Sequence, residues 1–205
     1  MAGGPPRRGF VLLLASALAA PGSALAHRQH GEPAGQRLPA LGPAPDFALT
    51  REDGRPFTRH DIAGKVSLVT FIYTSCGDIC PLLTDKLVGI QQKLGDAFGR
   101  DIVFVSITVD PEIDRPDVLE AYAGRMGCDP RGWAHLTGSV EAIAAVARGY
   151  GVVFVKEPDG GVAHNALTSL VDRGGQLRVQ YMGTAFDPDE MERDLRQLAT
   201  ESAPA

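Results

Sequence analysis

Cysteine is scarce in this 205-residue sequence, positive charge is not in excess, and no apolar run reaches the length of a membrane span. Three cysteines cannot build a disulfide-dense scaffold, and the odd number leaves at least one without an intramolecular partner. Of the 20 basic residues two, Arg7 and Arg8, lie in the first 26, which contain no acid, so 18 face 25 acidic side chains in the remainder. That balance argues against a nucleic-acid partner. The apolar stretch Phe10–Ala20 has 11 residues, short of the roughly 20 that cross a bilayer core. No internal repeat is visible, and the length excludes two ordinary domains while leaving room for one with a sizeable core. With 44% hydrophobic and 22% charged residues, the composition is that of a folded globular chain.

Arg7 and Arg8 ahead of the apolar stretch, then Pro21, Gly22, Ser23 and the small-residue triplet Ala24, Leu25, Ala26, form a secretory signal pattern over residues 1–26. Cleavage is expected after Ala26, although an uncleaved anchor and twin-arginine export fit the same residues. No cysteine precedes Cys76, so there is no lipoprotein attachment site near the cleavage point. The expected product is exported to the periplasm and soluble once the signal is removed. Residues 27–45, rich in Gly, Pro and Ala, read as a flexible leader, 46–200 as the folded domain, and 201–205 as a disordered tail.

Within the domain, Phe47–Thr50 and the turn Glu52, Asp53, Gly54 predict a short hairpin. Val66–Tyr73 is a nearly continuous β-prone run, as expected of a central strand buried on both faces. After Cys80, Pro81 suits a first helical turn, and Leu83, Leu87, Ile90 and Leu94 recur at helical spacing. Ile102–Val109 reads as a second buried strand, and Val118, Leu119, Tyr122 and Met126 mark a second helix after Pro116. Trp133–Leu136 fits a short edge strand, and Ser139 can cap a helix over Val140–Arg148. The rest is antiparallel in character: Val152–Val155, Leu167–Asp172, a Gly174, Gly175 turn, and Gln176–Met182, before a helix capped by Asp187. The fold class is therefore α/β, a mixed central sheet flanked by helices in thioredoxin-like order with an N-terminal hairpin extension.

Cys76 and Cys80 fall in the turn between the first buried strand and its helix, where α/β sheets place their sites. The positive end of the helix lowers thiol pKa there, and thiolates serve metals and disulfides alike. The three-residue gap is wider than the two of an ordinary thioredoxin, so the pair can hold a metal and can still close as a disulfide. Metal and redox roles both stay open on the pair alone. Two soft thiolates favour copper, and one added imidazole makes a three-coordinate site that suits Zn²⁺ less well. Among five histidines, His27 and His30 lie in the leader, His60 in a polar loop and His135 in the strand beside Trp133. His164, expected in a loop just before the strand Leu167–Asp172, is the candidate third ligand. Asp78 reads as a helix cap in preference to a group beside the metal or an extra Cu(II) ligand, Asp110 as a turn former or partner contact, and Cys128 as a buried or idle thiol that could crosslink dimers in an oxidising compartment.

The segment Thr74–Pro81 (TSCGDICP), the run Val105–Glu112 (VSITVDPE) with Asp114, Pro116, Ala121 and Tyr122, the triplet Leu136–Gly138, and Val162–His164 followed by Leu170–Asp172 together resemble the SCO/SenC family of copper metallochaperones. The resemblance spans roughly Asp46–Leu198. It implies one copper, Cu(I) or Cu(II), bound by Cys76, Cys80 and His164. It also implies delivery of copper to the dinuclear copper site on cytochrome c oxidase subunit II or another copper enzyme, or reduction of that site's thiols. A periplasmic thiol reductant or copper donor would be a further partner, and the chain is expected to be a monomer. Gly77 departs from the family, many of whose members have proline there, as does a signal that reads as cleavable where many members keep an anchor.

A competing reading is a thiol:disulfide oxidoreductase of thioredoxin type, in which Cys76 and Cys80 form the redox-active pair and His164 is not needed. Ordinary thioredoxins have a proline before the strand corresponding to Leu167–Asp172, and this chain has none there. A peroxiredoxin-like peroxidase is disfavoured by the close spacing of Thr74 and Cys76. The chain is thus not expected to be a conventional enzyme, with thiol-disulfide reduction as its one open activity.

Overall fold

The computed structural model describes Met1, residues 38–158 and residues 160–201. The expected signal sequence, most of the leader with His27 and His30, and residues 202–205 of the expected tail lie outside the described residues. Among the described residues no helix is long and apolar enough to cross a membrane.

Two seven-residue strands form the centre, β4 (Val66–Ile72) and β5 (Ile102–Thr108), and every residue of both is buried. They pair in parallel from Val66 opposite Ile102 to Ile72 opposite Thr108. The first crossover between them is α1 (Ile79–Leu94), and α2 (Pro116–Met126) leads from β5 to β6 (Trp133–Thr137), which is parallel to β5. Alternate residues of β4 enter different layers. Val66 and Leu68 meet Leu83, Leu87 and Ile90 of α1 and Met191, Leu195 and Leu198 of α4 (Pro188–Thr200). Val69 and Phe71 meet Ile143, Val146 and Ala147 of α3 (Val140–Gly149). Covering on both faces is why these strands read as unbroken apolar runs.

The eight-stranded sheet has the order β1-β10-β9-β4-β5-β6-β2-β3. β9 (Leu167–Val171) runs antiparallel to β4, and β10 (Gln176–Met182) antiparallel to β9. The expected hairpin is β2 (Ala48–Arg51) with β3 (Pro56–Thr58), and it pairs with β6. Trp133–Leu136 is consequently an interior strand and not an edge, because the hairpin covers its outer side. The leader also ends earlier than expected. Leu38 is buried, and β1 (Gly42–Pro43) adds to β10. The anchor is Arg178, whose buried guanidinium pairs with Asp172 and Glu201 and donates to the Leu38 carbonyl. Glu201, placed in the tail by sequence, is held by the same guanidinium.

Interior placement changes the reading of His135. It is 1% exposed, stacks on Trp133 with ring centroids 5.7 Å apart, and neither ring nitrogen has a hydrogen-bond partner. Burial pushes its pKa down to about 3. The folded chain therefore keeps this imidazole neutral where the unfolded chain, titrating near 6.5, takes up a proton. Above pH 6.5 the two states bind equally. As pH falls from 6.5 towards 3, this group costs about 1.4 kcal/mol of stability per pH unit, or roughly 2 kcal/mol by pH 5. Urea unfolding at pH 7 and pH 5 should show a smaller acid loss in His135→Phe than in wild type, and equal losses would refute this account.

Candidate metal centre

β4 ends at Ile72, and the chain turns through Tyr73–Asp78 before α1 begins. Asp114, fully buried after β5, holds this turn in place. Its carboxylate accepts from the Thr74 N–H at 3.0 Å, from the Thr74 hydroxyl, and from the Thr108 hydroxyl at 2.6 Å. A buried carboxylate is costly unless its oxygens are hydrogen-bonded, and these donors meet that need while tying together the ends of both central strands. The Cys76 N–H closes the turn on the Tyr73 carbonyl at 3.3 Å. At Gly77 an added Cβ would meet nothing within 4 Å, so the bend does not depend on glycine there.

Cys76 is half-buried and Cys80 buried. The Cys80 N–H donates to Cys76 Sγ at 3.4 Å, as expected of a first-turn amide without an intrahelical partner. Burial raises the Cys76 thiol, but hydrogen bonds from the Cys80 and Asp78 amides, the Cys80 thiol and the Tyr73 hydroxyl outweigh it and leave the group below its ordinary value. Cys80 moves the other way, its thiol pushed up to about 12 by burial in a cluster with Ile72 and Tyr122. In the reduced pair Cys76 thus gives up its proton more readily than Cys80. Cys80 is fixed through Thr84, whose hydroxyl donates to the Cys80 carbonyl at 2.9 Å and bonds the Tyr122 hydroxyl at 2.8 Å.

Asp78 does not act as the expected cap. It occupies the N-cap position, but its side chain makes no capping bond and is exposed, while its backbone N–H bonds Cys76. Cys128 is buried in the layer with Leu94 and Trp133, apart from the pair, and burial pushes its thiol up to about 12.

His164 is the last residue of a strand and not a loop residue. β7 (Phe154–Lys156) and β8 (Val162–His164) form a two-stranded sheet of their own, with His164 opposite Phe154. The imidazole meets the Tyr73 ring edge-on with centroids 6.0 Å apart. Its Nδ1 is buried without a hydrogen-bond partner, and burial holds the group below its ordinary pKa. Tyr73 stands between the two halves of the site, its hydroxyl bonded to Cys76 and to the Val162 N–H. Among the described residues no three His, Cys, Asp or Glu side chains are gathered closely enough to hold an ion. The fold brings the two thiols together and places His164 across Tyr73 from them.

Sequence reasoning missed three residues here. Tyr73 was read only as the end of a strand, Asp114 only as part of a motif, and Lys156 not at all. Asp110 does form a turn, its carbonyl accepting from the Ile113 and Asp114 N–H groups, but its side chain is 3% exposed, with Lys156 Nζ 3.2 Å from its Oδ1. Apolar side chains are exposed at Ile79 and Leu82 on α1, beside the thiols in sequence, and also at Ile113 after β5, Val153 and Val155 at β7, and Met182 at the end of β10.

The family model described as SCO1/SenC matches residues 38–200. A SCO1 protein homolog of Bacillus subtilis is 32% identical over 158 residues, covering 75% of this chain and 81% of the relative. Arabidopsis thaliana ScoI, solved with copper bound, superimposes with a TM-score of 0.67 at 33% identity, over 77% of this chain and 99% of that one. BsSco, described through a disulfide switch and as a member of the Sco family of cytochrome c oxidase assembly proteins, gives a TM-score of 0.70 at 29% identity, over 81% and 99%. Because the matched stretch runs from the buried Leu38 to the last residue of α4, taking in the dithiol turn and the histidine hairpin, this chain belongs to the SCO1/SenC family and has its thioredoxin-like fold.

Proposed function

We propose that this protein is an exported copper carrier that binds one copper ion through Cys76, Cys80 and His164. It passes the ion to the dinuclear copper site of cytochrome c oxidase subunit II or a related copper enzyme. The observation that carries this reading is the dithiol at the head of α1 with His164 across Tyr73 from it, the imidazole's buried Nδ1 having no partner. Two sulfurs and one nitrogen fit copper in both oxidation states, Cu(I) accepting low coordination and Cu(II) favouring the nitrogen. The solved relative with copper bound and the relative described as an oxidase assembly protein support the metal and the target class. The exposed Ile79 and Leu82 beside Cys80 suit a protein recipient. The signal pattern over residues 1–26 supports export, with the acceptor on the same side of the membrane.

The chain's own chemistry follows from its unequal thiols. Both must lose their protons to hold a metal, so capture releases protons and is favoured as pH rises. Oxidation removes two electrons and two protons and joins the sulfurs as a disulfide, which leaves neither available as a strong donor. The asymmetry also favours a second role, reduction of the target's cysteines before metal transfer. There the Cys76 thiolate attacks the target disulfide, Cys80 displaces the target from the mixed disulfide, and two electrons pass to the target. Anaerobic titration with copper should give one ion per reduced chain, with loss of both reactive thiols, and none on the disulfide form. Stoichiometric binding to the disulfide form would place the site elsewhere.

A further inference from the structure

Among the described residues, the hairpin that carries His164 shares no strand pairing with the eight-stranded sheet. Each of its strands has three residues, and an isolated pair that short is marginal in water. Its position must come from side chains. At its base Asn165 Oδ1 accepts from the Val153 N–H at 2.7 Å, and Asn165 Nδ2 donates to the Gly151 carbonyl at 3.0 Å. Further out, Lys156 Nζ donates to Asp110 Oδ1 at 3.2 Å and to Glu112.

Register connects this contact to the imidazole. Phe154 lies opposite His164 and Lys156 opposite Val162. Directly opposed and alternate residues share a face, so Lys156, Val162, Phe154 and His164 all stand on one side of the hairpin. Val155 and Ala163 take the other side and are exposed, while Val162 is buried. Drawing Lys156 onto Asp110 therefore turns the histidine face towards the body of the protein. Asp110 is nearly fully buried and its Oδ2 has no partner, so the lysine is more than an ordinary surface ion pair. A buried carboxylate without its cation would be strongly unfavourable.

We propose that Lys156 is a positioning residue for His164: its ammonium latches the hairpin to Asp110 and Glu112 and thereby sets where the imidazole stands relative to Cys76 and Cys80. This rests on the copper reading above, and the latch itself can be tested without copper. In the reduced protein alone, Lys156→Gln should speed amide hydrogen exchange at residues 154–156 and 162–164 about tenfold, with little change in the central strands. Lys156→Arg, which keeps the cation, should restore slow exchange. On titration with Cu(II), Lys156→Gln should lose about tenfold in affinity and show weakened nitrogen hyperfine coupling, with a smaller loss for Cu(I). Exchange, Cu(II) affinity and hyperfine coupling all at wild-type values in Lys156→Gln would overturn the latch. If wild type binds no copper at the thiols, the copper reading fails, and hairpin exchange alone then upholds or refutes the latch.

Discussion

Replacing either Cys76 or Cys80 by serine should lower Cu(I) affinity by at least about a thousandfold, or roughly 4 kcal/mol. A serine hydroxyl stays protonated at neutral pH and is a hard donor, whereas the proposed site calls for soft thiolate sulfur. The two variants should differ in their side effects. Cys76 is half-exposed and accepts first-turn amides, and serine there can keep that acceptor, so stability should change little. Cys80 sits in the apolar cluster with Ile72 and Tyr122, and a hydroxyl there needs a partner, at a cost of about 1–3 kcal/mol. Competition against a Cu(I) chelator gives the affinity, and urea unfolding separates lost binding from lost folding. Wild-type affinity in either folded variant would remove that cysteine from the site.

The second large effect is expected at His164. Without its imidazole the centre is reduced to two sulfurs, which still satisfy Cu(I) but deprive Cu(II) of its nitrogen donor. His164→Ala should therefore cost about a hundredfold in Cu(II) affinity and less than about tenfold for Cu(I). Folding should survive, because the side chain hydrogen-bonds nothing through Nδ1 and its hairpin lies outside the main sheet. The dithiol should still oxidise and reduce. Unchanged Cu(II) affinity together with a collapse of thiol-disulfide exchange would instead make His164 a proton-transfer group, and the reductase reading would then stand in place of the copper site.

The sequence carried the parts of this protein that depend on near neighbours. The unbroken apolar run of β4, the helical spacing after Pro81, the Ser139 cap on Ala142 and the Asp187 cap on Asp189 are all local patterns, and each appears in the fold. The dithiol was readable for the same reason: only three residues separate Cys76 from Cys80, and a strand-to-helix turn brings such residues together. His164 was singled out by eliminating other histidines and by resemblance, and its strand was missed because three-residue strands such as β7 and β8 carry too little pattern to register.

What the tertiary structure decided are the contacts made at long range. Hairpin β2–β3 covering β6 turned a supposed edge into the interior, and His135 on that strand is buried against Trp133 and Tyr122. Arg178, 140 residues beyond Leu38, drew the end of the leader onto the sheet. Asp114 reached back 40 residues to fix the turn at Thr74, and Lys156 reached 46 residues to Asp110. No periodicity announces such partners. A buried charge must find its counterpart wherever the chain has placed one, and that placement exists only once the layers have packed. Residue type and local spacing determined that this protein has a dithiol at a helix head. Only the assembled fold determined that the two thiols differ in acidity, that His164 packs on Tyr73 beside them, and that Lys156 of the same hairpin pairs with Asp110.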